Sequence, residues 1–448
     1  MRFIINLGTS KERLPMVIID CYILIALFLY VFGPVKFHSP YSFFMCLYMI
    51  VFLLIVNIMF FRAIKIKHIC YQNKYSVQEK RTSKPLPFWF YVVGLIIVLT
   101  MIVSNIALTG ISGFGGNIAN TMAKSYSFVQ GGGVYQEGVD IPMWIYMHFA
   151  LFIYLSIVDG IIYYKKLSFL RKMIWIVMLV ALVLYFALFK GTQKTLGDIF
   201  VLCMSALLVK SALLSVKRKK SKRIIIVLVG TAVIFACVLA SIMGARISYL
   251  NSLGYNAFRL HDKFWDVNVD STFLQLFPKA TRIGFACLVF YLCNGLCGLS
   301  YCLALPITWS YGIGSITDLA DIIERRFGFS VIEKTYMYKA YKEYGWHYNE
   351  QWHTIFPSIA SDWSFVGALI ILGIIAYIYG ICWQEIIHGE NKESIFLFSM
   401  INIIWIYLPA NNQIFSTRTT AIIFVICIIM WIRRNKNVKK KWFFYEKG

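Results

Sequence analysis

The sequence predicts an all-α polytopic integral membrane protein, and three observations predict it. Of 448 residues, 59% are hydrophobic and only 15% charged, and the mean hydropathy is +0.68, far too apolar for a soluble chain of this size. Apolar runs long enough to cross a bilayer recur along the chain. The basic residues gather in the short loops between those runs, at Arg62 to Lys84, Lys165 to Lys172, Lys217 to Arg223 and the tail from Arg433. The net charge of +23 is therefore a topology signal that puts those loops in the cytoplasm, and a nucleic-acid partner is excluded.

Seven spans are expected near 15–33, 41–61, 88–109, 142–163, 173–189, 195–215 and 224–243, and three more near 363–383, 394–410 and 419–432. With the amino terminus inside, every basic loop through the seventh span falls in the cytoplasm. The first run has no small-x-small cleavage site and reads as a retained span. The eleven cysteines are odd in number, lie mostly in apolar runs and form no C-x-x-C pair, so they are expected as small buried hydrophobes, with no disulfide framework and no metal site.

The run 283–308 is apolar too. Counted as a full span it would carry the basic tail outside, and Asn294, Gly295, Gly298, Pro306 and Gly312 would expose backbone to lipid. It is expected as a re-entrant or interfacial segment beside about ten transmembrane helices. The organisation is then 1–243 with seven helices, 244–362 as one large extracytoplasmic loop, 363–432 with three helices, and 433–448 as a basic cytoplasmic tail. Both termini are cytoplasmic. From Arg246 to Asp362 the chain holds ten Lys/Arg and ten Asp/Glu, so that loop is neutral, and long loops on a rigid scaffold are where function concentrates.

Within it, Asp318 to Phe327 has Leu319, Ile322, Ile323 and Phe327 on one helical face. Tyr336 to Tyr344 reads as a surface helix whose tyrosines suit membrane-interface anchoring better than stacking on sugars. Gly110 to Asp140, with Gly113-Phe-Gly-Gly116 and Gly131-Gly-Gly133, is expected as a flexible lid rather than a nucleotide loop, since its glycine clusters are not set between a strand and a helix.

No Walker motif, zinc signature or nucleophile elbow is present. Cations at the outer face disobey the positive-inside bias: Arg246, Arg282, Arg418, Lys190 and Lys194. Each could serve a phospholipid headgroup or an ion pair; several together could converge on a pyrophosphate, which the planar Arg fork suits. Lys194 and Asp198 are spaced to pair on one helix face. Asp20 and Asp159, near cytoplasmic ends, are discounted. Asp362 and His353 are the candidate bases: a neutral imidazole can take a hydroxyl proton, and Asp362, which could also cap the run from Trp363, ranks slightly ahead.

At these residues the sequence resembles the Wzy-type oligosaccharide repeat-unit polymerases of bacterial O-antigen and capsule. The resemblance rests on Tyr291-Leu292 with Gly295 and Gly298-Leu299, Gly312-x-Gly314-Ser315, Trp352 with Pro357, Ile359-Ala-Ser-Asp362-x-Ser-Phe-x-Gly367, Gly389-Glu-Asn391 and Pro409-Ala-Asn-Asn-Gln413, in order over the C-terminal third. It implies a fold similar to the C-type glycosyltransferases and an enzyme at the outer face of the bacterial inner membrane. The growing glycan on undecaprenyl pyrophosphate would be moved onto a new lipid-linked repeat unit, with no nucleotide sugar, metal or other cofactor. Arg246, Arg282, Arg418 and Lys194 would hold the pyrophosphate, Asp362 or His353 would act on the acceptor hydroxyl, and Asn294, Asn411, Asn412 and Gln413 would bind sugar hydroxyls. A flippase and a chain-length regulator are the implied protein partners. Where relatives often carry arginine between the fifth and sixth spans, this chain has Lys190-Gly-Thr-Gln-Lys194. The alternatives are an O-antigen ligase, which shares architecture and donor, a lipid-linked oligosaccharide flippase, and a non-catalytic assembly partner.

Overall fold

The computed structural model describes residues 10–74, 84–109, 141–190, 193–214, 218–254, 258–348, 350–389 and 391–445; the glycine-rich stretch expected as a lid, Gly110 to Asp140, lies outside them. The seven leading helices are α1 (Ser10–Phe32), α2 (Ser42–Lys74), α3 (Phe88–Thr109), α4 (Ile141–Ile162), α5 (Phe169–Leu184, continued by a π turn over Tyr185–Phe189), α6 (Gln193–Leu214) and α7 (Arg218–Ser252). After them come a short α8 (Thr272–Gln275), α9 (Arg282–Leu303), α10 (Thr317–Phe327), α11 (Tyr336–Tyr344), α12 (Ile355–Gly389), α13 (Lys392–Tyr407) and α14 (Arg418–Tyr445). Among the described residues nine helices, α1 to α7, α9 and α12, are long and apolar enough to cross a membrane. The chain is an all-α multi-pass membrane protein.

The bundle is built by α2 along α12, α3 against α4 and α5, α6 against α4, α7 and α13, and α13 against α12 and α14. Lipid cannot drive apolar helices together by hydrophobicity, so shape and buried polar pins must do it. Aromatic rings supply the shape: Phe52 of α2 meets Phe356 of α12 edge-on at 4.9 Å, and Tyr379 stacks on Phe398 at 4.5 Å. The pins gather at the far end of α12. Glu385 accepts from Ser394 Oγ at 2.5 Å and Trp431 Nε1 at 2.9 Å, tying α12, α13 and α14. Asp159 of α4 accepts from Tyr91 and from the Leu86 N–H, with Lys392 3.8 Å away. Asp20 accepts from Asn57 at 2.9 Å. These carboxylates are structural, as their positions suggest.

The stretch expected to break or re-enter is one uninterrupted helix of 22 residues, α9. Its glycines and Asn294 do not interrupt it because they are buried in protein rather than turned to lipid. Gly295 lets the carbonyl of Ala410 come where a Cβ would sit, 2.2 Å away, and Gly298 does the same for the carbonyl of Trp352 at 2.7 Å and for His353 Nδ1 at 3.0 Å. Any larger residue would push α9 off both loops.

A three-stranded antiparallel ribbon, invisible in the sequence because no strand exceeds three residues, joins the connection between α1 and α2 to the segment between α7 and α9. β1 (Val35–Phe37) pairs with β3 (Trp265–Val267), which also pairs with β2 (His261–Asp262). From that ribbon the chain enters α9. At the other end of α9, Tyr301 donates to the His38 carbonyl at 2.7 Å and Ser300 to Ser39 Oγ at 2.6 Å, one to two residues beyond β1. The segment before α9 and the C-terminal end of α9 are thus bound to the same loop.

Candidate functional site

The signature of the large loop is organised by Asp362. Its carboxylate is buried, 7% exposed, and each oxygen takes two donors. Oδ1 accepts from Ser310 Oγ at 2.5 Å and the Gly312 N–H at 2.9 Å; Oδ2 accepts from the Ser315 N–H at 2.8 Å and Ser315 Oγ at 2.6 Å. An ionised carboxylate is the side chain able to accept all four at once. The loop needs such a clamp, because Tyr311 and Gly312 both have left-handed backbones, φ 62° and 76°, a pair that costs free energy without compensation. Ser361 adds a second tie: its carbonyl accepts from the Ser310 N–H at 3.1 Å and its hydroxyl from the Tyr336 N–H at 3.0 Å.

One expectation for Asp362 is corrected. It does not cap the following helix: α12 kinks at Ser364 (φ 63°, ψ 168°), and Ser364 Oγ accepts from the Gly367 N–H at 3.3 Å, so the serine is the cap. As a base it is poorly placed, since its acceptor positions are filled by the loop.

His353 has the opposite character. It is 7% exposed, lines a cavity, and its Nε2 has no partner. Burial pushes its imidazole down to about 3, so the ring is neutral at ordinary pH. Cys302 Sγ lies 3.9 Å from Nδ1 and 3.7 Å from the Tyr336 carbonyl. With the thiol proton on the Tyr336 carbonyl, the sulfur can accept from Nδ1–H, and in that tautomer Nε2 is an acceptor.

The cavity is about 350 Å³ and is walled by five pieces of chain. Lys194 comes from the start of α6; Thr317, Ala320 and Asp321 from α10; Ile332, Thr335 and Met337 from the approach to α11; Tyr348, Gln351, Trp352 and His353 from the loop before α12, with Ser358 behind them; and Asn411, Asn412 and Ser416 from the loop after α13. Asn412 uses Oδ1 to accept from the Phe415 N–H at 3.2 Å, while its Nδ2 has no partner, nor has Ser416 Oγ. Buried polar atoms are rarely left unpaired; three residues of this cavity's lining, His353, Asn412 and Ser416, each carry one that is itself covered by protein, so a small rotation of these side chains would offer it to a polar ligand.

Of the residues singled out in the sequence, Lys194, His353, Asn411 and Asn412 are brought together here, and the rest are not. Gln413 gives Nε2 to Asp198, at 2.8 and 2.9 Å to its two oxygens, and Tyr154 donates to the same carboxylate at 3.0 Å; the Lys194 charge, expected to pair with Asp198, acts on it as well. Asn294 is buried in α9 with Oδ1 unpartnered, away from the cavity lining. The arginines do not converge, and none lines the cavity. Arg246 lies 3.5 Å from Tyr291 Oη. Arg282 donates to the Phe277 carbonyl at 3.3 Å and lies 3.6 Å from Asp270. Arg418 grips Asp318 with two nitrogens, at 2.9 and 3.4 Å, and so ties the start of α14 to α10, one wall of the cavity. Sequence reasoning missed Gln351, Tyr348 and Ser416; only their nearness to Trp352 and Asn412 could have pointed to them.

No family model, curated protein or solved structure matches this chain.

Proposed function

We propose that the chain is a membrane-embedded glycosyltransferase that polymerises undecaprenyl-pyrophosphate-linked repeat units into O-antigen or capsular polysaccharide at the outer face of the bacterial inner membrane. The observation that carries the reading is the cavity: amides, hydroxyls, two aromatic rings, one lysine, one carboxylate and a neutral imidazole, beside apolar helices long enough to span a bilayer. Amides and hydroxyls answer sugar hydroxyls, and aromatic rings answer the C–H faces of a pyranose.

In the reaction an acceptor hydroxyl oxygen forms a bond to the anomeric carbon of the donor, the anomeric bond to pyrophosphate breaks, and undecaprenyl pyrophosphate leaves with the electron pair. His353 Nε2 takes the hydroxyl proton, a role its neutral state permits. Lys194 faces the charge that develops on the leaving group. Asn411 and Asn412 hold the acceptor. Asp362 acts through the loop it clamps and is a positioning residue. Arg418 acts through Asp318 on the wall formed by α10.

The test is the surface-glycan ladder of the source strain with the gene deleted and then restored as wild type, His353→Ala or Asn412→Asp. The aspartate keeps the acceptor for the Phe415 N–H and removes the free donor. Collapse of the ladder to a single repeat unit on deletion, restored by wild type and by neither variant, is expected. Long chains retained on the polyprenyl carrier would point instead to a ligase, loss of all surface repeats to a flippase, and an unchanged ladder would overturn the proposal.

A further inference from the structure

The cavity continues outward over a platform of aromatic rings. Tyr348 lines the cavity, and its ring centroid lies 5.4 Å from that of Tyr338 and 5.9 Å from that of Tyr341. Tyr341 in turn meets His347 at 4.6 Å. The platform is rigid. α11 is capped at its start by Thr335, whose hydroxyl accepts from the Tyr338 N–H, and closed by Gly345 in a left-handed conformation. One face of the helix buries Tyr336, Met337 and Ala340 against the bundle, which leaves Tyr338 and Tyr341, three residues apart, half-buried along its flank.

We propose that Tyr338 and Tyr341 form a second saccharide subsite that holds the part of a glycan chain extending beyond the cavity. The inference rests on the functional reading above and names the ligand of its outer rim: neutral pyranose units presenting C–H faces. Three observations favour this over anchoring in the membrane interface. The rings are continuous with a polar cavity through Tyr348. The residues beside them, Lys342, Glu343 and Glu350, are charged and exposed. Lys342 Nζ sits 5.5 Å from the Tyr338 centroid, on the ring rather than away from it. A cavity of about 350 Å³ has no room for a polymer, so any longer chain must pass over its rim.

The test uses full-length protein in nanodiscs and, as probe, the source strain's own glycan released from lipid and fractionated into single-unit and multi-unit pools. Each stacked ring should add roughly 2- to 10-fold in affinity, so wild type is expected to prefer the multi-unit pool by about tenfold. Tyr338→Ala/Tyr341→Ala should lose that preference and keep single-unit binding, and Tyr338→Phe/Tyr341→Phe should keep both. In wild type itself, hydroxyl-radical labelling of Tyr338 and Tyr341 should fall with the multi-unit pool and not with the single-unit pool, a readout that needs no variant. Equal binding of the two pools by wild type, or a preference that survives the alanine pair, would overturn the subsite while leaving the functional reading in place. Labelling suppressed by the nanodisc lipid alone would make the rings a membrane anchor and also overturn it. Failure of wild type to bind either pool would instead sink the functional reading.

Discussion

Replacing Asp362 by asparagine separates an anchoring carboxylate from a catalytic one. Asparagine keeps one acceptor oxygen and puts an NH2 group where the other stood. If the NH2 replaces Oδ1 it faces the Gly312 N–H, and if it replaces Oδ2 it faces the Ser315 N–H. The hydroxyls of Ser310 and Ser315 can rotate to accept; the backbone N–H groups cannot. One buried donor is therefore left unpaired, at about 1–3 kcal/mol, and the weakening of the remaining bonds, now made to a neutral acceptor, adds about 1 kcal/mol in all. A local loss of about 2–4 kcal/mol follows, which at 1.4 kcal/mol per tenfold is roughly 30- to 1,000-fold faster opening of the 310–315 loop. Hydrogen exchange resolved to the Gly312 and Ser315 amides reads this directly, alongside repeat-unit transfer in proteoliposomes. Faster exchange and reduced transfer are expected together. Lost transfer with unchanged exchange would refute the anchoring role and make Asp362 a base.

Gly298→Ala should lower transfer and cost about 1–3 kcal/mol by overpacking, because its Cβ would stand 2.7 Å from the Trp352 carbonyl and 3.0 Å from His353 Nδ1; a melting curve and transfer assay on the same sample check it. Arg418→Ala and Asp318→Ala should weaken transfer equally and the double variant no further, as for a pair acting as one unit; with side chains 35% and 28% exposed, their joint contribution to stability stays under about 1 kcal/mol. A larger loss from Arg418→Ala alone would reveal direct donor contact. His353, pushed down to about 3 from its usual 6.5 by burial, takes up a proton more readily unfolded than folded. Its contribution to stability is therefore whole above about pH 6.5 and falls as the pH drops, by about 2 kcal/mol at pH 5; in denaturant titrations at pH 7.5 and 5 the wild-type midpoint should fall by more than that of His353→Gln, which lacks that loss.

The sequence by itself determined the class of the molecule and the positions of most of its helices. Lipid imposes long apolar runs, and these are legible before any packing is known. It also singled out the stretches from Gly295 to Ser315, Trp352 to Gly367 and Pro409 to Gln413, where glycine, amide and acid intrude on apolar chain. What those residues do was decided by tertiary contact. Gly295 and Gly298 admit carbonyls from residues 410 and 352, approaches that no local periodicity encodes. Asp362, read alone, could be a cap, a base or an anchor; the donors that fill its oxygens lie 47 to 52 residues earlier in the chain. The outer arginines look alike in sequence, yet Arg418 finds Asp318 a hundred positions away and Arg282 a carbonyl five away, so their shared charge does not bring them to one place. The cavity is drawn from five separated segments, and its lysine, imidazole and amides meet only because α6, α12 and α13 pack at one end of the bundle. A hydropathy pattern specifies which face of a helix avoids water; which polar groups meet across the bundle depends on packing, and only the folded chain settles it.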